Sequence, residues 1–273
     1  MRKTTRRRRS TPLSGGIIGA LVLLAIVGVA FAAPSLSASL SSSAPGVTAV
    51  ITGATPAPAE TPTGATLPTD NPAAQGTALA LLETLPVKGR APKTGYDRTG
   101  DFGTAWLDVD RNGCDTRNDI LARDFASLAK SGSCKVTSGI LNDPYTGKTI
   151  DFVRGNATSP AVQIDHVVPL LNAWETGAQQ LTQEQRIALA NDPLNLYAVD
   201  GPTNTAKSAG DAATWLPPRK DFRCTYVAHQ VSVKAAYGLW VTRAEHDAIA
   251  GILAGCPGEK ALSSALAPAD SAR

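Results

Sequence analysis

The sequence predicts an α+β fold, a helix-rich domain stapled by disulfides, and three observations carry that reading. Short apolar segments of strand character alternate with longer segments that open on helix-capping residues. No Gly-rich phosphate loop is present. Cys114, Cys134, Cys224 and Cys256 all lie in the stretch that also holds every Trp and Tyr.

The segments outside that stretch are of a different kind. Residues 2–9 carry six Lys and Arg, and an uncharged apolar run follows from Ile17 to Ala33, closing on Ala30-Phe31-Ala32. A basic head, an apolar run and a small-x-small exit describe a secretory signal peptide over 1–33. Its competitor is an uncleaved N-terminal anchor in the membrane through residues 17–33, since a span needs about 20 apolar residues. Either way the remainder is expected outside the cytoplasm. Residues 34–78 are rich in Ala, Ser, Thr, Pro and Gly with few large apolar side chains. Such a segment buries too little surface to offset its ordering entropy and reads as a disordered linker. Residues 261–273 read as a flexible tail, which leaves 79–260 as one domain with room for a core. The formal charge of +3 rests on 26 basic and 23 acidic residues. Without the leader there are 20 basic against 23 acidic, a net −3, so overall charge gives no argument for a polyanion partner.

Within the domain, Thr116–Lys130 reads as a helix with Ile120, Leu121, Phe125 and Leu128 on one side. Lys135–Leu141 and Thr149–Val153 read as strands around the turn Asn142-Asp143-Pro144-Tyr145-Thr146-Gly147. Val162–Val168 is a third strand, ended by Pro169, and Leu194–Val199 a short fourth. Thr182 with Gln185, and Thr242 with Glu245, have capping-box spacing and open two helices; another spans Thr225–Tyr237. There is no Cys-x-x-Cys pair and no His at a zinc-finger offset, so the cysteines read as two disulfides of an exported protein. Four cysteines allow three pairings. Cys114–Cys134 with Cys224–Cys256 is preferred because each then encloses a short helical segment.

Chemistry concentrates in Gln163-Ile164-Asp165-His166-Val167-Val168-Pro169-Leu170 and in the run from Asn195 to Ser208. Asp165-His166 sets a hard oxygen ligand beside a base that titrates near neutrality. On a strand the two side chains face opposite ways, so they share a site only where the strand ends or bends, and Pro169 supplies an ending. Asn204, just past Gly201-Pro202, offers an amide oxygen as a second ligand, and Lys207 one turn on is placed to meet a negative oxygen. Carboxylate, amide oxygen, imidazole and ammonium suit metal-assisted phosphodiester hydrolysis. The bland reading is a surface hydrogen bond at Asp165-His166 and ordinary turn chemistry around Gly201-Pro202.

The stretch 162–216 resembles the HNH, or ββα-metal (His-Me finger), endonuclease superfamily, in its secreted DUF1524-like branch. The residues that carry the resemblance are Asp165-His166-Val167-Val168-Pro169-Leu170, Asn191-Asp192-Pro193-Leu194-Asn195-Leu196 and Asn204-Thr205-Ala206-Lys207-Ser208. Upstream, Cys114-Asp115-Thr116-Arg117-Asn118-Asp119-Ile120-Leu121 and Asp143-Pro144-Tyr145-Thr146-Gly147 extend it over roughly 95–257. The resemblance implies a ββα-metal core, a nucleic-acid substrate, His166 as general base and Asp165 and Asn204 as metal ligands. It also implies that Asn195 supports the loop orienting the base. Oxygen ligands and a phosphate substrate favour one Mg²⁺, with Mn²⁺ able to replace it.

Other features were weighed against plainer roles. Asp108-Val109-Asp110-Arg111-Asn112-Gly113 begins like a calcium loop and Asp119 falls at its twelfth place, but a complete loop has Glu there, and a capped, disulfide-tethered turn is the simpler reading. Arg117 is a candidate phosphate contact or a structural ion pair. Lys207, Arg219, Lys220 and Arg223, with Trp215 nearby for stacking, form the best basic cluster, diluted by Asp211 and Asp221; it reads as a phosphate track for substrate binding through Arg219 and Lys220, or as an ordinary solvated face. Trp106, Trp174 and Trp240 read as core aromatics, and His229 and His246 as packing residues. The function expected is a secreted metal-dependent endonuclease cleaving DNA and/or RNA, with no stable protein partner evident. The alternatives are a hydrolase of cell-wall or peptide bonds, for which no His-Glu-x-x-His motif exists, and a non-enzymatic, calcium-stabilised binding module.

Overall fold

A computed structural model describes residues 73–268, all within the unit Thr61–Arg273; the 1–33 leader and most of the 34–78 segment lie outside the described residues. The elements run β1 (Ala73–Thr77), α1 (Ala78–Leu82), α2 (Arg98–Phe102), α3 (Thr116–Asp124), β2 (Phe125–Ser131), β3 (Lys135–Asn142) and β4 (Thr149–Val153). They continue with β5 (Val162–His166), α4 (Leu170–Glu175), α5 (Gln183–Asn191), β6 (Leu196–Asp200), α6 (Gly201–Lys207), α7 (Arg223–Ala236), α8 (Arg243–Leu253) and β7 (Lys260–Leu262). The fold is mixed α and β. Three antiparallel sheets form, β1–β7, β2–β3–β4 and β5–β6.

The pair β5–β6 occupies the centre. Val167 and Val199 join the core cluster built on α7 and α8, which includes Tyr226, Val231 and Ile249. Val168 and Leu194 join a second cluster with Phe102, Leu189 and Tyr237, and Ile164 and Leu196 a third with Leu121, Phe125 and Phe152. Each fully buried Leu or Val contributes about 1.5–3 kcal/mol of transfer energy. The segment carrying Asp165-His166 is therefore held from three sides.

Local signals decide several boundaries. Both expected capping boxes form, Thr182 with Gln185 ahead of α5 and Thr242 with Glu245 ahead of α8. Both disulfides join the expected partners, Cys114–Cys134 and Cys224–Cys256. Order extends past the expected 79–260 at both ends. Thr77 caps α1 and β1 pairs with β7, while Leu262 donates to Ser232 and Ser264 binds Asp192, so residues 261–264 are tied to the body rather than a free tail.

The expected helix Thr116–Lys130 is half wrong. α3 stops at Asp124, whose carboxylate takes the Arg123 guanidinium and the Ala198 backbone N–H. Phe125 turns extended, packs 5.3 Å from the Phe152 ring and begins β2, and Leu128 stays 37 % exposed. Cross-strand pairing with β3 overrides the helical spacing of the apolar residues. Gly139 makes that pairing close-fitting, since a Cβ there would lie 2.2 Å from Phe125 Cδ2 and 2.7 Å from the Ser127 carbonyl oxygen. Gly139→Ala is expected to destabilise the protein by at least about 2 kcal/mol in urea denaturation; a neutral effect would contradict the strand assignment of Phe125–Ser131.

Candidate functional site

The site is built where β5 ends. β5 and β6 pair with Asp165 opposite Tyr197 and His166 opposite Leu196, and α6 follows β6 directly. Asp200 caps α6 by accepting from the Thr203 N–H at 2.9 Å and its hydroxyl at 2.6 Å. Gly201 lets the helix start against β5, because a Cβ there would sit 2.0 Å from the Pro160 carbonyl oxygen. Asn204 and Lys207, three residues apart, share one face of α6. They meet the two side chains that share one face of β5. Asn204 Nδ2 donates to Gln163 Oε1 at 2.9 Å, and Lys207 Nζ to Asp165 Oδ1 at 2.9 Å.

Lys207 is enclosed, its side chain 0 % exposed, and its ammonium also donates to the His166 carbonyl at 2.7 Å. The second Asp165 oxygen accepts from the Tyr145 hydroxyl at 2.5 Å. Burial pushes the Asp165 carboxyl up and the Lys207 ammonium down, and their mutual attraction opposes both shifts. Tyr145 arrives from the Asp143–Gly147 turn, where Asp143 Oδ2 accepts from Thr146 N and Oδ1 from Asp200 N.

His166 points the other way from Asp165. Its Nε2 lies 2.9 Å from the Ala190 carbonyl oxygen, which can only accept, so Nε2 carries the proton and Nδ1 keeps its lone pair. Trp106 covers the imidazole, with ring centroids 5.8 Å apart and planes 12° from parallel. Burial lowers the imidazole pKa to about 3, helped by the positive charges of Arg98 and Lys207, so the ring is neutral at neutral pH. Asn195, fully buried, braces both sides of this arrangement. Its Oδ1 accepts from Val168 N at 2.8 Å and its Nδ2 donates to the Leu189 carbonyl at 3.2 Å.

Asp165, His166 and Asn204 all line one cleft of about 340 Å³, with Gln163, Tyr96 and Arg98. Among the described residues no group of three His, Cys, Asp or Glu side chains forms a metal cage. Two protein oxygens suffice for a hard cation that keeps most of its water. Asp165 has lone pairs beyond the two hydrogen bonds it accepts, and the Asn204 amide oxygen carries no hydrogen bond among the described residues. The donor set fits such an ion.

Residues 115–252 match the family described as GmrSD restriction endonucleases, C-terminal domain. The chain belongs to this family. A relative from Arthroderma benhamiae, named Uncharacterized secreted protein, is 39 % identical over 191 residues, covering 69 % of this chain and 89 % of the relative. No solved structure matches. Membership in the GmrSD C-terminal domain family places the chain among nuclease-type proteins, and the matched span contains the whole β5–β6–α6 unit.

The other residues singled out in the sequence fall elsewhere in this GmrSD-type domain. Lys207 holds Asp165 and is shut away from the cleft, so the expected phosphate contact is replaced by a buried ion pair. The Arg117 guanidinium donates to the Val162 carbonyl at 3.0 Å. Arg219 pairs with Asp221 at 2.8 Å, and neither it nor Lys220 lines the cleft. Trp106 packs against the third apolar cluster, as expected of a core aromatic, and also covers the His166 imidazole. Tyr145, Arg98 and Gln163 escaped sequence reasoning as site residues; Gln163 alone had a signal, its alternation with Asp165 on one strand. The Asp-rich turn is capped by Asp108, which accepts from Asn112 N and Gly113 N.

Two predictions follow from these burials. Lys207→Met leaves Asp165 as an unpaired buried charge and is expected to cost about 3–5 kcal/mol in chemical denaturation; adding Asp165→Asn should recover part of that loss. Asp119 is half-buried, and burial with neighbouring Asp110 and Asp108 raises its pKa to about 6. A carboxyl whose folded pKa lies above its unfolded value costs stability as pH rises through the window from about 4 to 6. Asp119→Asn should therefore raise stability at pH 7 by about 1 kcal/mol, the figure discounted for solvent screening, and leave it unchanged at pH 3.5 in parallel thermal melts.

Proposed function

We propose that the chain is a secreted, metal-dependent endonuclease of the ββα-metal (HNH) type that hydrolyses phosphodiester bonds of DNA and/or RNA. The observation that carries this reading is the meeting of Asp165, His166 and Asn204 in one cleft, with the His166 Nε2–H already given to a backbone carbonyl. The strand–strand–helix order β5–β6–α6 and membership in a nuclease-type family support it.

His166 is the general base. Its Nδ1 takes a proton from the attacking water, while the Ala190 carbonyl fixes the tautomer and Trp106 restricts the ring. Asn195 positions the base by pinning the chain just after His166 and just before Ala190. Asp165 and Asn204 would hold one divalent cation, Mg²⁺ or in its place Mn²⁺, with Tyr145 and Lys207 fixing the Asp165 carboxylate. When bound, such a cation would supply stabilisation of the negative charge that develops on the phosphodiester. Secretion is supported by the leader-like N-terminus, the two disulfides and the name of the Arthroderma benhamiae relative. Among the described residues no helix is long and apolar enough to cross a membrane.

Purified protein is expected to degrade plasmid DNA, total RNA or both with Mg²⁺, and to stop when EDTA is added. His166→Ala should lower the rate by a factor on the order of 10²–10⁴ with the fold intact. Undiminished cleavage by that variant would show the base is wrongly assigned. A folded wild type inactive with every divalent cation would favour a binding module instead.

A further inference from the structure

The cleft has to accept a polyanion, yet its own acidic group is Asp165, and the Lys207 charge that balances it is enclosed. Of the side chains lining the cleft, Arg98 is the one permanent cation. It also lines a second, smaller cavity of about 60 Å³, shared with His166 and Trp106, so it stands beside the imidazole from both sides. Other arginines near β5 are committed, Arg117 to the Val162 carbonyl, Arg123 to Asp124 and Arg219 to Asp221. Arg98 makes no salt bridge among the described residues and is exposed.

Its position is fixed by its neighbours. Asp97 Oδ1 accepts from Thr99 N at 3.1 Å, Asp97 N donates to Asp101 Oδ2 at 2.7 Å, and Phe102 is buried at the end of the same turn. The Tyr96 ring packs against Phe102 and Trp174, and the Arg98 guanidinium is within hydrogen-bonding reach of the Tyr96 hydroxyl. The turn fixes the backbone from which the guanidinium is presented, and the planar fork of that group matches two phosphate oxygens.

From this placement we infer that Arg98 is the phosphate-binding residue of the cleft, gripping the non-bridging oxygens of the phosphodiester presented to His166. The inference rests on the nuclease reading and names the group that recognises its substrate.

The test measures binding without cleavage. Protein carrying His166→Ala is titrated in EDTA with whichever labelled nucleic acid the wild type cuts, over a series of salt concentrations. Adding Arg98→Ala should weaken binding on the order of tenfold. It should also reduce the slope of log K against log salt by about 0.9 for duplex DNA or about 0.7 for a single strand, one phosphate contact's worth. Arg98→Lys, which keeps charge but not the fork, should restore most of the slope and only part of the affinity. Unchanged affinity and slope in Arg98→Ala would overturn the inference while leaving the nuclease reading standing. So would a slope lost in Arg219→Ala and kept in Arg98→Ala, which moves the phosphate track to another face. No binding by the folded His166→Ala parent at any salt, although the wild type cuts the same nucleic acid, would overturn the inference alone; a folded wild type that cuts neither DNA nor RNA would overturn both.

Discussion

The Lys207 ammonium is the fastening on which the site depends. It lies at the end of α6, yet its two partners, Asp165 Oδ1 and the His166 carbonyl oxygen, are consecutive residues at the end of β5. One buried cation thus locks the helix that carries Asn204 onto the strand that carries the carboxylate and the imidazole. Burying an ammonium and a carboxylate is costly, and the cost is offset only when their remaining hydrogen-bonding capacity is met. The Tyr145 hydroxyl meets part of the carboxylate's capacity and the His166 carbonyl part of the ammonium's. A pair of this kind does little for net stability compared with apolar packing, but it permits few alternative arrangements of α6 against β5.

A second fixed point, the Asn195 carboxamide, governs the other face of the strand. It binds the backbone at Val168, two residues past His166, and at Leu189, one residue before the carbonyl that holds the ring. Base and tautomer-setting acceptor are thereby referred to the same side chain. Around both points β5–β6 contributes to three apolar clusters, so small shifts of Asp165 or His166 would disturb packing on every side. One face of β5 places Asp165 and Gln163 against α6, the other places His166 against the Ala190 carbonyl, and Asp165, His166 and Asn204 line one cleft at the strand end.

What was legible in the sequence was local or carried by a spaced motif. Capping boxes at Thr182 and Thr242 depend on residues three apart and formed as expected. The Asp165-His166 strand end and the helix holding Asn204 were legible because Pro169, Gly201 and Pro202 punctuate them. What was not legible depends on distant partners. Phe125 and Leu128 have helical spacing, and only pairing with β3 makes their segment a strand. Lys207 reads as a cation placed to meet a negative oxygen, but that the oxygen is the buried Asp165 carboxylate depends on the fold. Tyr145 reads as a turn residue, and Trp106 reaches His166 through a backbone φ of 64°, which no local propensity for Trp predicts. Arg98 sits in a short turn remote in sequence from the motif, with no signal of its own.

The base proposed at His166 depends on a neutral imidazole whose Nε2–H is held by the Ala190 carbonyl and whose Nδ1 keeps its lone pair. Nitrogen-15 NMR of the ¹⁵N-histidine-labelled protein at pH 7 tests it most directly, with the His166 signals assigned by their loss in His166→Ala. The expected result is a protonated Nε2 and an unprotonated Nδ1. An Nδ1–H tautomer, or an imidazolium at that pH, would contradict it.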